Sequence, residues 1–508
     1  MTPPPSRPAL CIHGHFYQPP RENPWTGRVE AQTGAAPAHD WNERITEECY
    51  RPNAAARLLP HAERDLDERE LSNYSRMSFD FGPTLLAYLA REQRDVHDAL
   101  VAGDRDAVRR FSGHGVAIAQ SYSHAILPLA SARDRRTEVR WGLRDFELRF
   151  GRRSEGLWLP ECAVDTPTLE VLADEGVRFT ILAPGQARRV RRIGGDRWTP
   201  LGEGKGVDTR VPYLVRLGSG RSIAVFFYDG RLAHSVAFGR TLTDGAGFLA
   251  ALERDHGDVP GLVHFATDGE TYGHHQRLGE MGLAWLLESV ERGESVFDLT
   301  VYGRHLERQP PVDEVEIVEK SSWSCAHGIE RWRSACGCSG GRRQGSQSWR
   351  RPLRDALDLL RDLLAPIFER ECGELLVDPW GARDRFAEVL VRRTPRIENI
   401  FLDREAGRVL DEPDKLRALQ LLDMQRQALL MYASCAWFFD DLSDIEPLQT
   451  VAHAARAIEL AGPRDIPRLE RLFSTALASA VGNDGATGDV VYERVVATHR
   501  PLVTDSTP

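Results

Sequence analysis

Short apolar runs that end abruptly at polar residues recur along the first half of the chain. Five such runs lie at residues 9–12, 156–160, 179–182, 223–227 and 262–267. Continuously apolar runs of this length are typical of strands whose two faces are both covered by helices. Segments with helical spacing lie between them, at residues 166–176, 248–254 and 283–292. Strands that alternate with helices predict an α/β fold with a parallel sheet, either open or closed into a barrel.

The pattern changes from about residue 310 onward. A stretch rich in Trp, Cys, Gly and Arg is followed by long helical patterns at residues 353–368, 383–391, 415–439, 452–460 and 466–480. We therefore predict an α/β domain over residues 1–310, a Trp/Cys-rich covering loop over 311–350 and a mainly α-helical C-terminal domain over 351–508. Short alternating runs near residues 186–222 predict a β-rich insertion within the first domain.

Composition and charge narrow the partners. The chain has 508 residues, 42% hydrophobic and 28% charged, with a formal net charge of −10. Such an acidic surface repels phosphate backbones, so we expect no nucleic-acid partner. The sequence lacks the roughly 20 consecutive apolar residues of a membrane span and a signal peptide pattern, so we expect no membrane partner. Eight cysteines in so long a chain do not form a dense disulfide framework, which favours the cytoplasm.

Two acids directly follow predicted strands. Glu161 follows the run at residues 156–160, and Asp268 follows the run at 262–267. In closed α/β barrels the working residues lie where the strands end. Retaining glycoside hydrolysis needs one carboxylate that attacks the anomeric carbon and a second that serves as acid and base. The alternative is that each acid caps the N-terminus of a following helix, where negative charge is favourable.

Polar side chains at two further strand ends are candidates for binding. His13 and His15 end the first predicted strand, with Gln18 shortly after, and Asp229 follows the run at residues 223–227. Aromatic and polar side chains of this kind suit sugars, whose faces stack and whose hydroxyl groups need paired partners. The alternative for the two histidines is a zinc site.

Three segments, in this order along the chain, resemble motifs of glycoside hydrolase family 57. Residues 13–19 read His-Gly-His-Phe-Tyr-Gln-Pro, residues 158–163 read Trp-Leu-Pro-Glu-Cys-Ala, and residues 267–273 read Thr-Asp-Gly-Glu-Thr-Tyr-Gly. The resemblance spans residues 9–275. It implies an incomplete (β/α)7 barrel, a retaining mechanism through a covalent glycosyl-enzyme, and substrates that are α-linked glucans or oligosaccharides. It implies no metal and no organic cofactor.

The resemblance also assigns roles to individual residues. It implies that Glu161 is the nucleophile and Asp268 the acid/base, and it makes Trp158 and Glu270 candidates for substrate binding beside His13, His15 and Gln18. The second family motif has Gly-Gln followed shortly by Glu, and the comparable residues 115–120 lack that glutamate. His124, a little further on, is a candidate to meet a substrate hydroxyl. Residues 431–441 make the C-terminal half similar to an uncharacterised helical domain attached to one subgroup of the family.

The covering loop and the helical domain hold the remaining candidates. Trp323 and Trp332 are expected to stack on sugar rings, and a buried tryptophan pair is the alternative. The nearby Cys325, His327, Cys336 and Cys338 match a Cys₃His zinc site in composition but not in the usual two-residue spacing. We therefore expect that their ligand atoms do not converge. Asp440 and Asp441 end an apolar helix, and either one is a candidate to reach the barrel mouth and bind sugar hydroxyl groups. The alternative is a core aromatic cluster with a solvated acidic end.

Two other functions compete with a glycosidase or glycosyl-transferring enzyme. Residues 78–83, Ser-Phe-Asp-Phe-Gly-Pro, superficially resemble a motif of metal-dependent polysaccharide deacetylases. However, Phe81 and Phe238 occupy the positions of a required aspartate and a required histidine. The third hypothesis is a non-catalytic glycan-binding protein. The presence of both Glu161 and Asp268 argues against it. Hydrolysis, transfer and branching use the same acid pair, so the sequence leaves these reactions, the linkage and the oligomeric state open.

Overall fold

The computed structural model describes residues 7–59, 68–202, 206–339 and 345–500. The chain divides into two compact units, neither of which is continuous in sequence. The first unit comprises Met1–Gln18, Gln32–Gln120 and Phe146–Glu319. The second comprises Pro19–Ala31, Ser121–Asp145 and Lys320–Pro508. Two segments from the N-terminal third of the chain therefore belong to the C-terminal unit.

The first unit is built on parallel strands, labelled β1 to β7 in chain order. Among the described residues they are β1 Ala9–Phe16, β2 Ser78–Phe81, β3 Ala117–Gln120, β4 Leu157–Trp158, β5 Phe179–Leu182, β6 Ser222–Phe227 and β7 Leu262–Asp268. One run pairs in the order β7-β1-β2-β3-β4. A parallel bridge from Gly156 to Phe179 continues it to β5, which pairs with β6. This arrangement confirms the predicted incomplete (β/α)7 barrel.

Helices cover the barrel strands, which explains why those strands are apolar on both faces. Leu10, Cys11 and Ile12 of β1 are at most 1% exposed. The helices of this unit that are longer than six residues are Pro83–Glu92, Arg94–Arg110, Thr166–Asp174, Gly230–Phe238, Gly245–His256, Gly279–Glu291 and Tyr302–Arg308. Asp165 caps one of them by accepting a hydrogen bond from Thr168 N.

Further strands extend the barrel beyond β6. The sheet continues from β6 through Tyr213–Arg216, Asp313–Ile317, Ala187–Arg192 and Thr199–Pro200. The edge is held by alternating arginine and glutamate, as in the pairs Arg189–Glu316 and Arg191–Glu314. Since long charged side chains discourage pairing with other chains, they suit an exposed edge of a sheet.

The second unit is mainly helical, as predicted for the C-terminal region. Its helices among the described residues are most of Ala132–Phe150, then Arg350–Cys372, Pro379–Arg385, Ala387–Val391, Pro395–Glu405, Glu412–Leu430, Ile445–Leu460, Ile466–Leu477 and Gly488–His499. Arg383 is 1% exposed and donates to Asp134, Thr137 and Gln425. Across the described part of the chain, none of the helices has the length and apolar character needed to cross a membrane.

Candidate active site

The carboxyl ends of β1 and β2 bring two histidines onto one aspartate. His13 Nε2 lies 2.9 Å from Asp80 Oδ1, and His15 Nδ1 lies 2.8 Å from Asp80 Oδ2. His13 Nδ1 also lies 3.0 Å from Ser78 Oγ. Because alternate residues of a strand point to the same face, His13 and His15 both project into the barrel. Asp80 is fully buried and binds both rings.

Two neighbouring strands fix this histidine pair further. The Trp158 ring, at the end of β4, is stacked on both rings, with centroid distances of 4.9 Å to His13 and 5.0 Å to His15. Gln120 Nε2, at the end of β3, donates to Asp80 Oδ2 over 3.0 Å. The two histidine rings and the Asp80 carboxylate are therefore held in place before any substrate binds.

Burial and neighbouring charge act oppositely on the two histidines. Burial opposes the charged form of His15, but Asp80, and then Asp268 and Glu161, raise its pKa to about 9. Burial dominates for His13 and lowers its pKa, although Asp80 opposes this effect. His15 is therefore a cation at neutral pH, whereas His13 is a neutral imidazole. The positive charge of this buried cluster therefore lies on His15.

Glu161 lies in a short turn that follows β4. Its backbone has φ 58° and ψ 21°, in the left-handed region, and the next residue, Cys162, has φ 48°. Two consecutive non-glycine residues in this region are strained, and such strain is concentrated at functional sites. Glu161 is 9% exposed, and Gln186 Nε2 donates to the carbonyl of Cys162 over 2.8 Å. The turn is therefore held in a conformation that its own residues do not favour.

Asp268 is the last residue of β7, in register with His15 on β1. Its side chain is exposed. The buried acid is instead Glu270, two residues on, which is 5% exposed and accepts a hydrogen bond of 2.6 Å from Tyr50 Oη. Burial raises the pKa of Glu270 to about 7, and the charge of Asp268 adds to this effect.

Glu161 and Asp268 act on the same side chain. The charges of both contribute to the raised pKa of His15, and both raise the pKa of the Cys162 thiol beyond the effect of its burial. Glu161 follows β4 and Asp268 ends β7, so both acids belong to the carboxyl end of the barrel. Tyr228, just after β6, is 7% exposed, and burial and the charge of Asp268 raise its pKa.

Sequence reasoning missed three residues of this site. Asp80 was considered only as part of a deacetylase-like segment, and neither Tyr50 nor Tyr228 was considered. The signal for Asp80 was its place between Phe79 and Phe81, because a carboxylate with apolar neighbours on both sides needs buried partners. Tyr50 lies in a π-helical turn, Thr46–Tyr50, far from any motif, and nothing in the sequence links it to Glu270.

Gln18 and Asp229, two predicted binding residues of the first unit, have different surroundings. Gln18 is 8% exposed, close after β1. Asp229 Oδ1 accepts hydrogen bonds from the backbone N–H groups of Arg231 and Leu232, so this side chain caps the helix Gly230–Phe238. The cap satisfies backbone donors that would otherwise have no partner. A local structural role therefore accounts for the position of Asp229.

The remaining candidates belong to the second unit. His124 is 1% exposed, and its Nδ1 lies 2.6 Å from Ser434 Oγ. Trp332 is completely buried and donates through Nε1 to the carbonyl of Ser434, which favours the alternative of a buried tryptophan, whereas Trp323 is half-buried. Asp440 and Asp441 are 8% and 4% exposed. Both carboxylate oxygens of Asp441 accept hydrogen bonds, from Ser443 and from Asn483 N, which is typical of a structural turn.

The Cys/His cluster of the second unit corrects another prediction. We expected that the ligand atoms of Cys325, His327, Cys336 and Cys338 do not converge. In the structure all four lie within 4.8 Å of one another, so that prediction is wrong. Irregular spacing in sequence did not prevent convergence, because turns on either side of residues 328–335 bring the two pairs together.

Both halves of the chain match models of known protein families. Residues 10–317 match the family model for glycosyl hydrolase family 57, and residues 346–504 match a domain of unknown function, DUF3536. No curated protein sequence matches the chain significantly.

Solved structures with similar folds have low sequence identity. An exo-type maltose-forming amylase from Pyrococcus sp. ST04 has a TM-score of 0.68 at 17% identity, covering 97% of this chain and 89% of that one. A branching enzyme from Pyrococcus horikoshii has a TM-score of 0.56 at 16% identity, covering 97% and 95%. A 4-α-glucanotransferase from Thermococcus litoralis has a TM-score of 0.53 at 15% identity, covering 89% and 59%. At these identities the similarity concerns the fold.

Proposed function

Since the chain belongs to glycosyl hydrolase family 57, we propose that it cleaves or transfers α-linked glucose units with retention of configuration, with Glu161 as nucleophile and Asp268 as acid/base. The observation that carries this proposal is that Glu161 follows β4 and Asp268 ends β7 in register with His15, so both acids belong to the same end of the barrel. The charges of both also favour the cationic form of the buried His15. Two acids at one end of a barrel, with a cation between their strands, supply the parts that a double displacement needs.

In the first step, a Glu161 carboxylate oxygen attacks the anomeric carbon of the sugar. The bond to the leaving oxygen breaks, and Asp268 gives its proton to that oxygen, so that an alcohol leaves and a glycosyl ester forms on Glu161. In the second step, Asp268, now a carboxylate, takes a proton from water or from a sugar hydroxyl. That oxygen attacks the same carbon and releases Glu161 as a carboxylate, with the configuration restored.

His15 suits the electrostatics of this sequence. A nucleophile must be ionised in the free enzyme, and a nearby cation favours the carboxylate form of Glu161. The proton on His15 is retained at neutral pH because Asp80 helps to raise its pKa to about 9. His13 and Trp158 hold the ring of His15 by stacking and through the shared aspartate. We assign His15 and Asp80 a positioning role rather than a direct part in bond breaking.

The acid needs a proton, although Asp268 is exposed in the free protein. A sugar bound between the two carboxylates removes water from Asp268, and loss of water favours the neutral form of a carboxyl group. Glu270 is buried and ionises near pH 7, so above that pH it adds a second negative charge close to Asp268. Substrate binding therefore supplies the drier setting that the free structure lacks.

The proposed substrates are α-glucans or their oligosaccharides. The family match supports this class, and the matching structures are a maltose-forming amylase, a 4-α-glucanotransferase and a branching enzyme. Hydrolysis, transfer and branching can each proceed through one glycosyl-enzyme, and they differ in whether water or another sugar enters the second step. All eight cysteines are free thiols, which fits our proposal of a reducing, cytoplasmic setting.

A panel of α-1,4- and α-1,6-linked oligosaccharides tests the proposal. We expect at least one member to be cleaved or rearranged, and NMR of the earliest product to show the α anomer. Glu161→Gln should abolish turnover, whereas Glu92→Gln, at an exposed glutamate that pairs with Arg91, should leave it unchanged. A β-configured first product, or full activity of Glu161→Gln, would reject the assignment of the nucleophile.

A further inference from the structure

Three thiols and one imidazole of the second unit meet at a point. Cys325 Sγ lies 3.9 Å from Cys336 Sγ and 3.8 Å from Cys338 Sγ, and Cys338 Sγ lies 3.5 Å from His327 Nδ1. All four ligand atoms are within 4.8 Å of one another. Within the described ranges of the chain, this is the one group of three or more His, Cys, Asp or Glu residues with such an arrangement.

Three of the six separations in this group have the lengths of the edges of a metal tetrahedron. Zinc binds cysteine sulfur at about 2.3 Å and histidine nitrogen at about 2.0–2.1 Å, so tetrahedral coordination places the sulfurs about 3.8 Å apart and sulfur about 3.6 Å from nitrogen. The three separations in the cluster agree with these values to within about 0.1 Å.

A disulfide does not explain this arrangement. Bonded sulfurs lie about 2.05 Å apart, and a disulfide engages two cysteines. Here Cys325 is nearly equidistant from the two other thiols, and a histidine nitrogen completes the group. Each sulfur therefore has the separation of fellow ligands rather than of bonded partners.

Local backbone structure presents the four ligands in two pairs. Cys336 and Cys338 flank Gly337, whose φ of 86° lies in the left-handed region that glycine adopts at little cost. Cys325 and His327 precede Gly328, which has φ 79° and whose N–H donates to Cys325 O over 3.1 Å. Each pair therefore lies on a tight turn, a common way to hold two metal ligands that are close in sequence.

Two buried arginines adjoin the cluster. Arg350 is completely buried and Arg331 is 5% exposed. Arg350 donates to the carbonyl of Cys338, and Arg331 donates to that of Ser324, the residue before Cys325. Four of their guanidinium nitrogens are buried and have no hydrogen-bond partner among the described residues: Nε and Nη1 of Arg331, and Nε and Nη2 of Arg350.

An anionic metal centre would resolve this imbalance. Buried charges are normally paired, and an uncompensated guanidinium is costly. Three thiolates and one divalent ion carry one net negative charge, and metal-bound sulfur accepts hydrogen bonds from surrounding N–H groups. The surroundings of the cluster thus favour the metal-bound, deprotonated state of the cysteines over three neutral thiols.

We propose that Cys325, His327, Cys336 and Cys338 bind a structural zinc ion that holds the two turns of the segment 321–339 together beside the start of the helix Arg350–Cys372. Thiolate and imidazole ligands in a tetrahedron are characteristic of zinc, and four protein ligands leave no open position for catalysis. Gln347 connects the two parts, since its Nε2 donates to Cys338 O and its Oε1 accepts from Gly337 N. This site is independent of the proposed function of the barrel.

Metal analysis of the full chain, prepared without a metal-binding tag, tests the site. We expect about one zinc per chain by mass spectrometry, and less than about a tenth of that in Cys336→Ser. Cys435→Ser, which removes a half-buried thiol elsewhere in the second unit, should retain the full zinc content. Zinc well below one per chain in freshly purified, reduced wild type, or iron in its place, would overturn the proposal.

A second set of measurements does not depend on how well the cysteine variant folds. His327 is exposed, so His327→Ala should fold but lose its metal to a chelator at least about tenfold faster than wild type. Cobalt exchanged into the wild type should show the visible bands of a tetrahedral ion and a thiolate-to-cobalt charge-transfer band. An octahedral cobalt spectrum, or equal rates of metal loss from His327→Ala and wild type, would contradict this coordination.

Discussion

Two histidines that share one aspartate differ in charge. Asp80 binds both His13 and His15, but only His15 also feels the carboxylates of Glu161 and Asp268. Burial alone would keep both rings neutral, so the additional charges decide the outcome for His15. The protonation of His15 therefore depends on the charges of Glu161 and Asp268. In the proposed covalent intermediate Glu161 would be an ester, and one of the charges that stabilise the cation would be lost.

Glu270→Gln should change how stability depends on pH. Burial raises the pKa of Glu270 from 4.5 to about 7, so between these values the folded state holds a proton that the unfolded chain has released. The contribution of this group to stability is present at low pH and is lost as pH rises through about 7. Because glutamine does not titrate, the variant should gain on the order of 3 kcal/mol relative to wild type across this window.

Denaturant unfolding at a series of pH values measures this gain. Glu47→Gln is the control, because Glu47 is an exposed glutamate that pairs with Arg51 on the surface, and it should follow the wild-type profile. If the free energies of unfolding of Glu270→Gln and wild type run parallel from pH 4 to pH 8, Glu270 does not titrate as described.

Individual site residues were predictable where a motif and a strand end coincided. Glu161 and Asp268 were found this way, and the structure places them at the ends of β4 and β7. Their surroundings were not predictable, because exposure depends on residues that are distant in sequence. Tyr50 reaches Glu270 across 220 positions, and this contact helps to make Glu270 rather than Asp268 the buried acid.

At the scale of elements, the junction between β4 and β5 depends on a glycine. A methyl group on Gly156 would overlap with the ring of Phe179, which is 1% exposed and packs against Phe226 and Tyr302. Gly156→Ala should therefore lower the free energy of unfolding by about 1–3 kcal/mol, because the ring must move within a filled core. The same shift should lower turnover, since Glu161 follows β4 directly.

Gly185→Ala is the matched control for Gly156→Ala. It lies just after β5, and a methyl group there has no neighbouring atom within 4 Å. Thermal and urea unfolding should show it to be as stable as wild type. Equal stability of Gly156→Ala and Gly185→Ala would contradict the described packing of this junction.

The apolar runs of the sequence indicated five of the seven barrel strands, β1, β4, β5, β6 and β7. The two strands that were not indicated, β2 and β3, are four residues each and carry Asp80 and Gln120, whose polar side chains are buried in the site. Polar residues that a strand turns inward for function break the apolar pattern on which prediction depends.

At the scale of the whole molecule, the second unit is assembled from three separate stretches of chain. Trp141, from the stretch before β4, is completely buried, and its indole donates to the carbonyl of Arg383 over 2.7 Å. Asp134 and Thr137 of the same helix accept hydrogen bonds from Arg383. No local sequence pattern predicts that these separate stretches belong to one unit, because each helix has an ordinary amphipathic sequence.

A fragment that ends at residue 319 should therefore fail to form a stable protein. It retains Trp141, Asp134 and Thr137 but loses Arg383, so apolar and charged groups that are buried in the full chain become exposed. We expect aggregation in size-exclusion chromatography, and recovery of soluble protein when residues 320–508 are co-expressed. A monomeric, cooperatively unfolding fragment would show that the second unit is dispensable for the first.

Trapping the covalent intermediate tests most directly whether Glu161 becomes bound to the sugar. A 5-fluoro-α-glucosyl fluoride, which forms the ester quickly but releases it slowly, should add one sugar mass to the protein. Peptide mapping should place that mass on Glu161, with no adduct in Glu161→Gln and a persistent one in Asp268→Asn. An adduct on another carboxylate, or turnover of the reagent by Glu161→Gln at the wild-type rate, would contradict the account.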